Sequence, residues 1–175
     1  SPMEYFQSGG PFRCCSGWGK SSLHEGGIRM PFIVAWGDRL KPAVTGHISC
    51  FADLMPSLAE LAGAQAPEND GLSFVPTLLG RTGKQAQHEA LYWEFPGGKG
   101  WVAVRMGEWK GLLQKVHKGN SRMELYNLVS DPQETTDLAE EHPDIVERMW
   151  EVIKESHEEA NPAVAKFQMA IPERE

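Results

Sequence analysis

The chain has 175 residues, 41% of them hydrophobic and 23% charged, which suffices for one domain or a small domain with part of another and excludes wholesale disorder. A net charge of −7 and the absence of any long Lys/Arg run exclude nucleic acid as the main partner. No apolar stretch approaches the roughly 18 residues of a membrane span, so no membrane partner is expected.

In chain order, residues 1–27 are glycine-rich and lack periodicity, which predicts a loop facing a ligand or another piece of protein. The N-terminus lacks the basic-then-apolar plan of a signal peptide. "MPFIVAW" (30–36) is a continuous apolar run that predicts a buried strand. A turn-rich connection follows. Phe51, Leu54, Met55, Leu58, Leu61 and Ala62 then recur at helical spacing, with Ser49 or Asp53 as N-cap, Pro56 in the first turn and Gly63 as the stop. Residues 64–88 form a polar, turn-bearing linker, and the predicted boundary divides the chain into 1–80 and 81–175.

Beyond it, "EALYWEF" (89–95), the run over 101–116 and "MELYNL" (123–128) predict three or four antiparallel strands. Met106-Gly107-Glu108 and the segment 117–122 supply the turns. Residues 142–161 predict a helix opening near Pro143, with Ile145, Val146, Met149, Trp150, Val152 and Ile153 on one broad face. Pro162 ends it. The fold class is α/β passing to α+β: a strand plus helix at the end of an α/β domain, then a small antiparallel sheet of about four strands packed by one C-terminal helix. A buried strand without partners implies a larger sheet whose other strands lie outside this sequence.

Lys20 is the first candidate site residue, since an ammonium on a flexible stem among glycines suits a tetrahedral oxyanion. His24 and His47 are further candidates, because imidazole can donate to a leaving group or an anionic oxygen. Glu25 and Arg29 stand four apart and are expected to pair, while Gly26-Gly27 lets the backbone turn sharply. "DPQETTDL" (131–138) lacks the alternation and central Gly of a calcium loop, so turn and capping roles are expected there. Trp93, Trp101 and Trp109 are expected to fill the contact between sheet and helix rather than form a sugar platform. Cys14, Cys15 and Cys50 form no C-x-x-C pair and no spacing suited to zinc, so neither a disulfide framework nor any metal ligand is predicted.

These residues carry a resemblance. "GKSSLHEGGIRMPFIVAW" resembles the Gly-Lys … Glu-Gly-Gly … Arg-x-Pro … Trp segment of the type I sulfatases, the arylsulfatase-like branch of the alkaline-phosphatase superfamily. "FADLMPSLAELAGAQAPENDGLSFVPTLLG" is similar to the stretch that follows it in that family, with Ser57 where threonine is commoner. "LYWEF", "AVRMGEWKGLL" and "ELYNLVSDPQETTDLAEEHP" resemble its C-terminal subdomain. "YFQSGGPFR" is similar to a run in some sulfatases and is taken as native rather than as a tag remnant. The likeness covers roughly residues 6–160, and the insertion "CCSGWG" departs from the usual shorter link to the lysine.

The resemblance implies the end of an alkaline-phosphatase-like domain and sulfate-ester hydrolysis on a sulfated small molecule or carbohydrate, in a periplasmic or secreted enzyme. It implies formylglycine as nucleophile and calcium as metal in the full-length enzyme, with Lys20 contacting sulfate. The nucleophile motif Cys-x-(Pro/Ala)-x-Arg is absent from this sequence, as are the acidic metal ligands, so the chain alone is expected to be inactive and to hold no cofactor. Two alternatives stay open. One is phosphate-diester or phosphonate hydrolysis on the same scaffold; the other is a non-catalytic module whose orphaned strand favours self-association.

Overall fold

The computed structural model describes residues 9–13, 17–97, 100–159 and 170–172. Cys14, Cys15, Pro162 and most of the C-terminal tail lie outside them. Two compact units are formed, one by Pro31–Glu89 and one by Ser1–Met30 with Ala90–Glu175. The helices are α1 (Glu25–Ile28), α2 (Leu54–Ala62), α3 (Val75–Leu78) and α4 (Pro143–Ser156), and the strands are β1 (Leu91–Phe95), β2 (Trp101–Met106), β3 (Trp109–Leu113) and β4 (Met123–Asn127).

The strands form one antiparallel meander in the order β1-β2-β3-β4, as short connections require. Met106 pairs with Trp109 across Gly107-Glu108, and Gly107 adopts the left-handed φ of +56° that this tight turn needs. Alternation along the strands sorts side chains onto two faces. On one face Val102, Val104, Leu113, Met123 and Leu125 pack against Val146, Met149, Trp150 and Ile153 of α4. Each such burial contributes about 1.5–3 kcal/mol, and these contacts hold the helix to the sheet. Proline at the start of α4 and Asp144 in its first turn suit the unpaired N–H groups there.

The opposite face carries Trp101, Ala103, Leu112, Tyr126 and Leu128, and it is closed by Leu23 and Ile28 from the N-terminal segment. Both faces of the sheet are therefore covered, one by a helix and the other by a loop with a single helical turn. Of the tryptophans expected between sheet and helix, only Trp109 lies there, 4.7 Å from the ring of His142; Trp101, with Trp93 packed beside it, fills the opposite face, because that face is covered by the N-terminal segment.

In the unit Pro31–Glu89, Gly63 ends α2 in the left-handed conformation at φ +68°. A 3-10 turn, Phe51–Asp53, leads into α2, and the fully buried Asp53 accepts hydrogen bonds from the N–H groups of Cys50 and Leu72, both at 2.8 Å. The Ser57 hydroxyl donates to the Asp53 carbonyl at 2.6 Å and accepts from the Phe74 N–H at 2.9 Å. This polar seam ties α2 to the connection that returns to it.

Two further expectations need correction. Residues 31–35 form no strand, and Ile33 is 90% exposed. A central strand needs neighbours for its N–H and C=O groups, and among the described residues none pairs with this run. The apolar face expected of the helix is also open, with Phe51 80% and Leu58 60% exposed. The buried side of α2 is instead the one bearing Ser57, because that side meets Phe74.

Candidate functional site

The loop before α1 is shaped by close backbone approach. An added Cβ at Gly26 would lie 2.0 Å from the Arg13 carbonyl oxygen, and one at Gly27 would lie 2.3 Å from that of Ser22 and 2.6 Å from that of Gly19. Neither glycine has a left-handed backbone, so contact rather than turning requires them. Gly19 and Ser22 flank Lys20-Ser21, and Gly27 is thus the floor on which the lysine's loop rests. The buried Ser22 hydroxyl accepts a hydrogen bond from the His24 N–H at 3.0 Å, which tightens the turn further. Gly27→Ala is expected to destabilise the chain by about 1–3 kcal/mol, the range for overpacking a tight contact. Urea unfolding checks this, and an unchanged midpoint would contradict it.

Below that floor lies a buried ionic anchor. Lys110, fully buried on β3, places its Nζ 2.9 Å from Glu25 Oε1 and 3.0 Å from Glu134 Oε1. Period-two alternation aims it at the loop side of the sheet, where Glu25 waits at the start of α1. The Glu25 N–H donates to Glu134 Oε2 at 2.8 Å, and Glu25 Oε2 lies 3.5 Å from both Arg29 and Arg105. The expected Glu25–Arg29 pair is present, but it is the outer edge of a larger network. Burial pulls the Arg105 guanidinium below its ordinary pKa, Glu25 opposes that shift, and Arg29 adds to it.

His24 is 2% exposed, stacks on Trp18 at 3.6 Å between ring centroids, and sets Nδ1 3.2 Å from Glu134 Oε1. Glu134 Oε1 meets the Lys110 ammonium and the His24 ring as close contacts rather than aligned hydrogen bonds. In 131–137 the turn roles hold for Asp131, which accepts from the N–H groups of Thr135 and Thr136 at 2.6 and 2.9 Å. Glu134 departs from them. It occupies a left-handed φ of +54°, a costly conformation for a residue with a Cβ, and its carboxylate is buried in the anchor.

Burial alone would raise the Glu134 carboxyl, but contact with His24, the charge of Lys110 and the Glu25 N–H outweigh it and hold it below the ordinary value of 4.5. A carboxyl depressed by folding adds stability that is complete above its unfolded pKa and is lost as pH falls through the folded one. Unfolding free energy is therefore expected to fall less steeply below pH 4.5 for Glu134→Gln than for the native chain. Parallel acid limbs in denaturant titrations would contradict that.

Lys20 itself is exposed, on the loop tip that this anchor and the glycine floor support. His24 shares the loop, although its ring is withdrawn into the packing. His47 belongs to the other unit, Pro31–Glu89. There, burial lowers the His47 pKa, Asp53 opposes the shift, His88 adds to it and Gln87 opposes it. The same unit gathers a group that linear spacing did not show: Cys50 Sγ, an Asp53 carboxylate oxygen and a His88 ring nitrogen all lie within 4.8 Å of one another. His88 comes from 35 residues beyond Asp53, so only the fold brings it there.

Residues 16–159 match the family model described as N-sulphoglucosamine sulphohydrolase, C-terminal. Arylsulfatase A of Bos taurus is 38% identical over 112 residues, covering 62% of this chain and 21% of that protein. N-acetylgalactosamine-6-O-sulfatase of Bacteroides thetaiotaomicron is 30% identical over 150 residues, covering 78% of this chain and 29% of that protein. A crystal structure of a candidate sulfatase from Bacteroides thetaiotaomicron superposes with a TM-score of 0.50 at 29% identity, over 59% of this chain and 23% of that one. The chain thus spans less than a third of these relatives' lengths. With a family match over most of its length, and with the Lys20 loop fastened to the sheet by residues of the matched motifs, this chain belongs to the sulfatase family, as its C-terminal domain.

Proposed function

We propose that this chain serves as the C-terminal part of an enzyme hydrolysing sulfate esters of a small molecule or carbohydrate, and that Lys20 meets a sulfate oxygen. The observation that carries the reading is the exposed Lys20 ammonium on a loop whose two flanks press against Gly27 and whose base is pinned by Glu25 to Lys110. A flexible cation on a fixed mount holds a point charge where negative charge builds on a transferring group. The mount is what distinguishes this lysine from an ordinary solvated one.

In the full enzyme, hydrated formylglycine would supply the attack on sulfur and calcium would neutralise sulfate oxygens. The residues described here do not fit either group. Cys50 is followed by Phe-Ala-Asp, and its sulfur accepts a hydrogen bond from the Asp53 N–H. Calcium takes six to eight oxygen ligands, roughly, whereas the Cys50, Asp53 and His88 group offers one carboxylate. Both would be held by other parts of the protein.

The test is to assay a full-length protein containing this chain, and the 175-residue chain alone, against an aryl sulfate and a phosphate diester. Turnover confined to the full-length protein with the sulfate preferred supports the reading; a preferred diester, or turnover by the chain alone, overturns it.

The exposed Phe32, Ile33 and Leu58 favour one further reading, that the chain by itself associates through this apolar surface. Sedimentation at rising concentration is expected to show oligomers that Ile33→Lys shifts toward monomer. A monomer at all concentrations would refute it.

A further inference from the structure

The group in the unit Pro31–Glu89 has the chemistry of a metal site. Cys50, Asp53 and His88 offer a thiol, a carboxylate and an imidazole, with donor atoms within 4.8 Å of one another. Tetrahedral ligation by zinc, with bonds of about 2.0–2.3 Å, places donors roughly 3.3–3.8 Å apart. His88 Nε2 and Asp53 Oδ1, now 2.8 Å apart, would part by about 0.5 Å and the Cys50 sulfur would swing in, within reach of side-chain rotation.

His47 lies near Asp53 and His88 but outside the set of three donors. Both of its ring nitrogens are withdrawn from solvent, and neither has a hydrogen-bond partner of acceptable distance and angle, although Gln87 approaches the ring. Buried ring nitrogens without partners are costly, so a water completing the metal's coordination would gain a partner there. Cys50 and Asp53 stand three apart across the 3-10 turn, and His88 closes the set from the far end of the unit.

The scaffold already orients these donors. Asp53 is fully buried and fixed by the N–H groups of Cys50 and Leu72, with His88 Nε2 2.8 Å from its Oδ1. The two backbone N–H bonds are outer hydrogen bonds of the kind that hold a ligand in place around a metal, while the His88–Asp53 contact joins two donors and would give way to the ion. Access remains, because the His88 side chain is 11% exposed and Cys50 is half-buried.

We propose that Cys50, Asp53 and His88 bind a divalent transition metal of the zinc type, with a water in the fourth position. Binding forms a metal–sulfur bond and releases the Cys50 proton to solvent, with no change of oxidation state. Thiolate and carboxylate together neutralise the dication, and a mixed sulfur, nitrogen and oxygen set suits zinc or cobalt and not a hard cation. The bound metal would staple the entry of α2 to the end of the unit, so binding would raise that unit's stability.

The experiment is a cobalt(II) titration of the whole 175-residue chain carrying Cys14→Ser and Cys15→Ser, so that Cys50 is the remaining thiol. The expected result is saturation at one equivalent, with tetrahedral visible bands and a near-ultraviolet thiolate-to-cobalt band, all displaced by zinc. Cys50→Ser abolishes the thiolate band, while serine, a good N-cap, preserves the helix start. His88→Ala is expected to weaken affinity about 10- to 100-fold, and circular dichroism verifies that both variants remain folded. Absence of a tetrahedral spectrum at one equivalent, or a thiolate band that survives Cys50→Ser, overturns the proposal.

Discussion

Lys110→Met will destabilise the chain by about 3–5 kcal/mol, the cost of leaving a buried charge without its partner. The substitution keeps the length and most of the volume of the side chain, so packing is little changed. What it removes is the cation within 3.0 Å of both Glu25 and Glu134, each 2% exposed. His24 and the arginines reach these carboxylates only from the sides, at 3.2 and 3.5 Å. Urea unfolding at neutral pH measures the loss. Adding Glu25→Gln and Glu134→Gln to Lys110→Met is expected to restore part of it, since amides do not demand a counter-ion. A loss below about 1 kcal/mol for the single change would mean that water or a displaced arginine replaces the lysine, and that the anchor does not hold the loop.

Lys20→Ala, made in a full-length protein that contains this chain, is expected to lower kcat by about 100- to 1,000-fold, the range for removing one donor from developing negative charge. The residue is exposed and touches nothing in the anchor, so the melting temperature should stay within a degree or two of native. Lys20→Arg tests geometry separately: a planar fork on the same stem keeps the charge and is expected to recover only part of the rate. A fall of less than tenfold for Lys20→Ala would remove this lysine from the reaction. Gly27→Ala adds a link, because pushing the Gly19 and Ser22 carbonyls apart displaces Lys20 without changing it. Both kcat and stability should fall together in that variant.

The sheet and its helix were legible because their periods are local. Alternation over 101–106 and 109–113, the Gly107 turn and the apolar face of α4 each lie within a dozen residues, and the strands pair as their order suggests. Lys110 was not legible as a buried residue. In a half-exposed strand a lysine belongs to the wet face, and here that face is dry because Leu23 and Ile28 cover it. Glu134 read as a turn acid for the same reason, since its partners sit 109 residues away at Glu25 and across the sheet at Lys110. The run 30–36 misled in the other direction. Its apolar residues announce burial, but a pattern cannot show whether neighbouring strands are present to provide it. His88 escaped notice because nothing beside it in the sequence is a donor of its kind.

The anchor joins pieces of chain 85 residues apart, and the whole of Pro31–Glu89 runs between them. That unit is, in polymer terms, the tether of a closed ring. The entropy of closing such a ring grows with the logarithm of its length, and each doubling adds only about 0.6 kcal/mol. Segments spliced into the exposed parts of Pro31–Glu89 should therefore leave the lysine's mount almost untouched, and variation in this unit can reshape its surface without loosening the loop that carries Lys20.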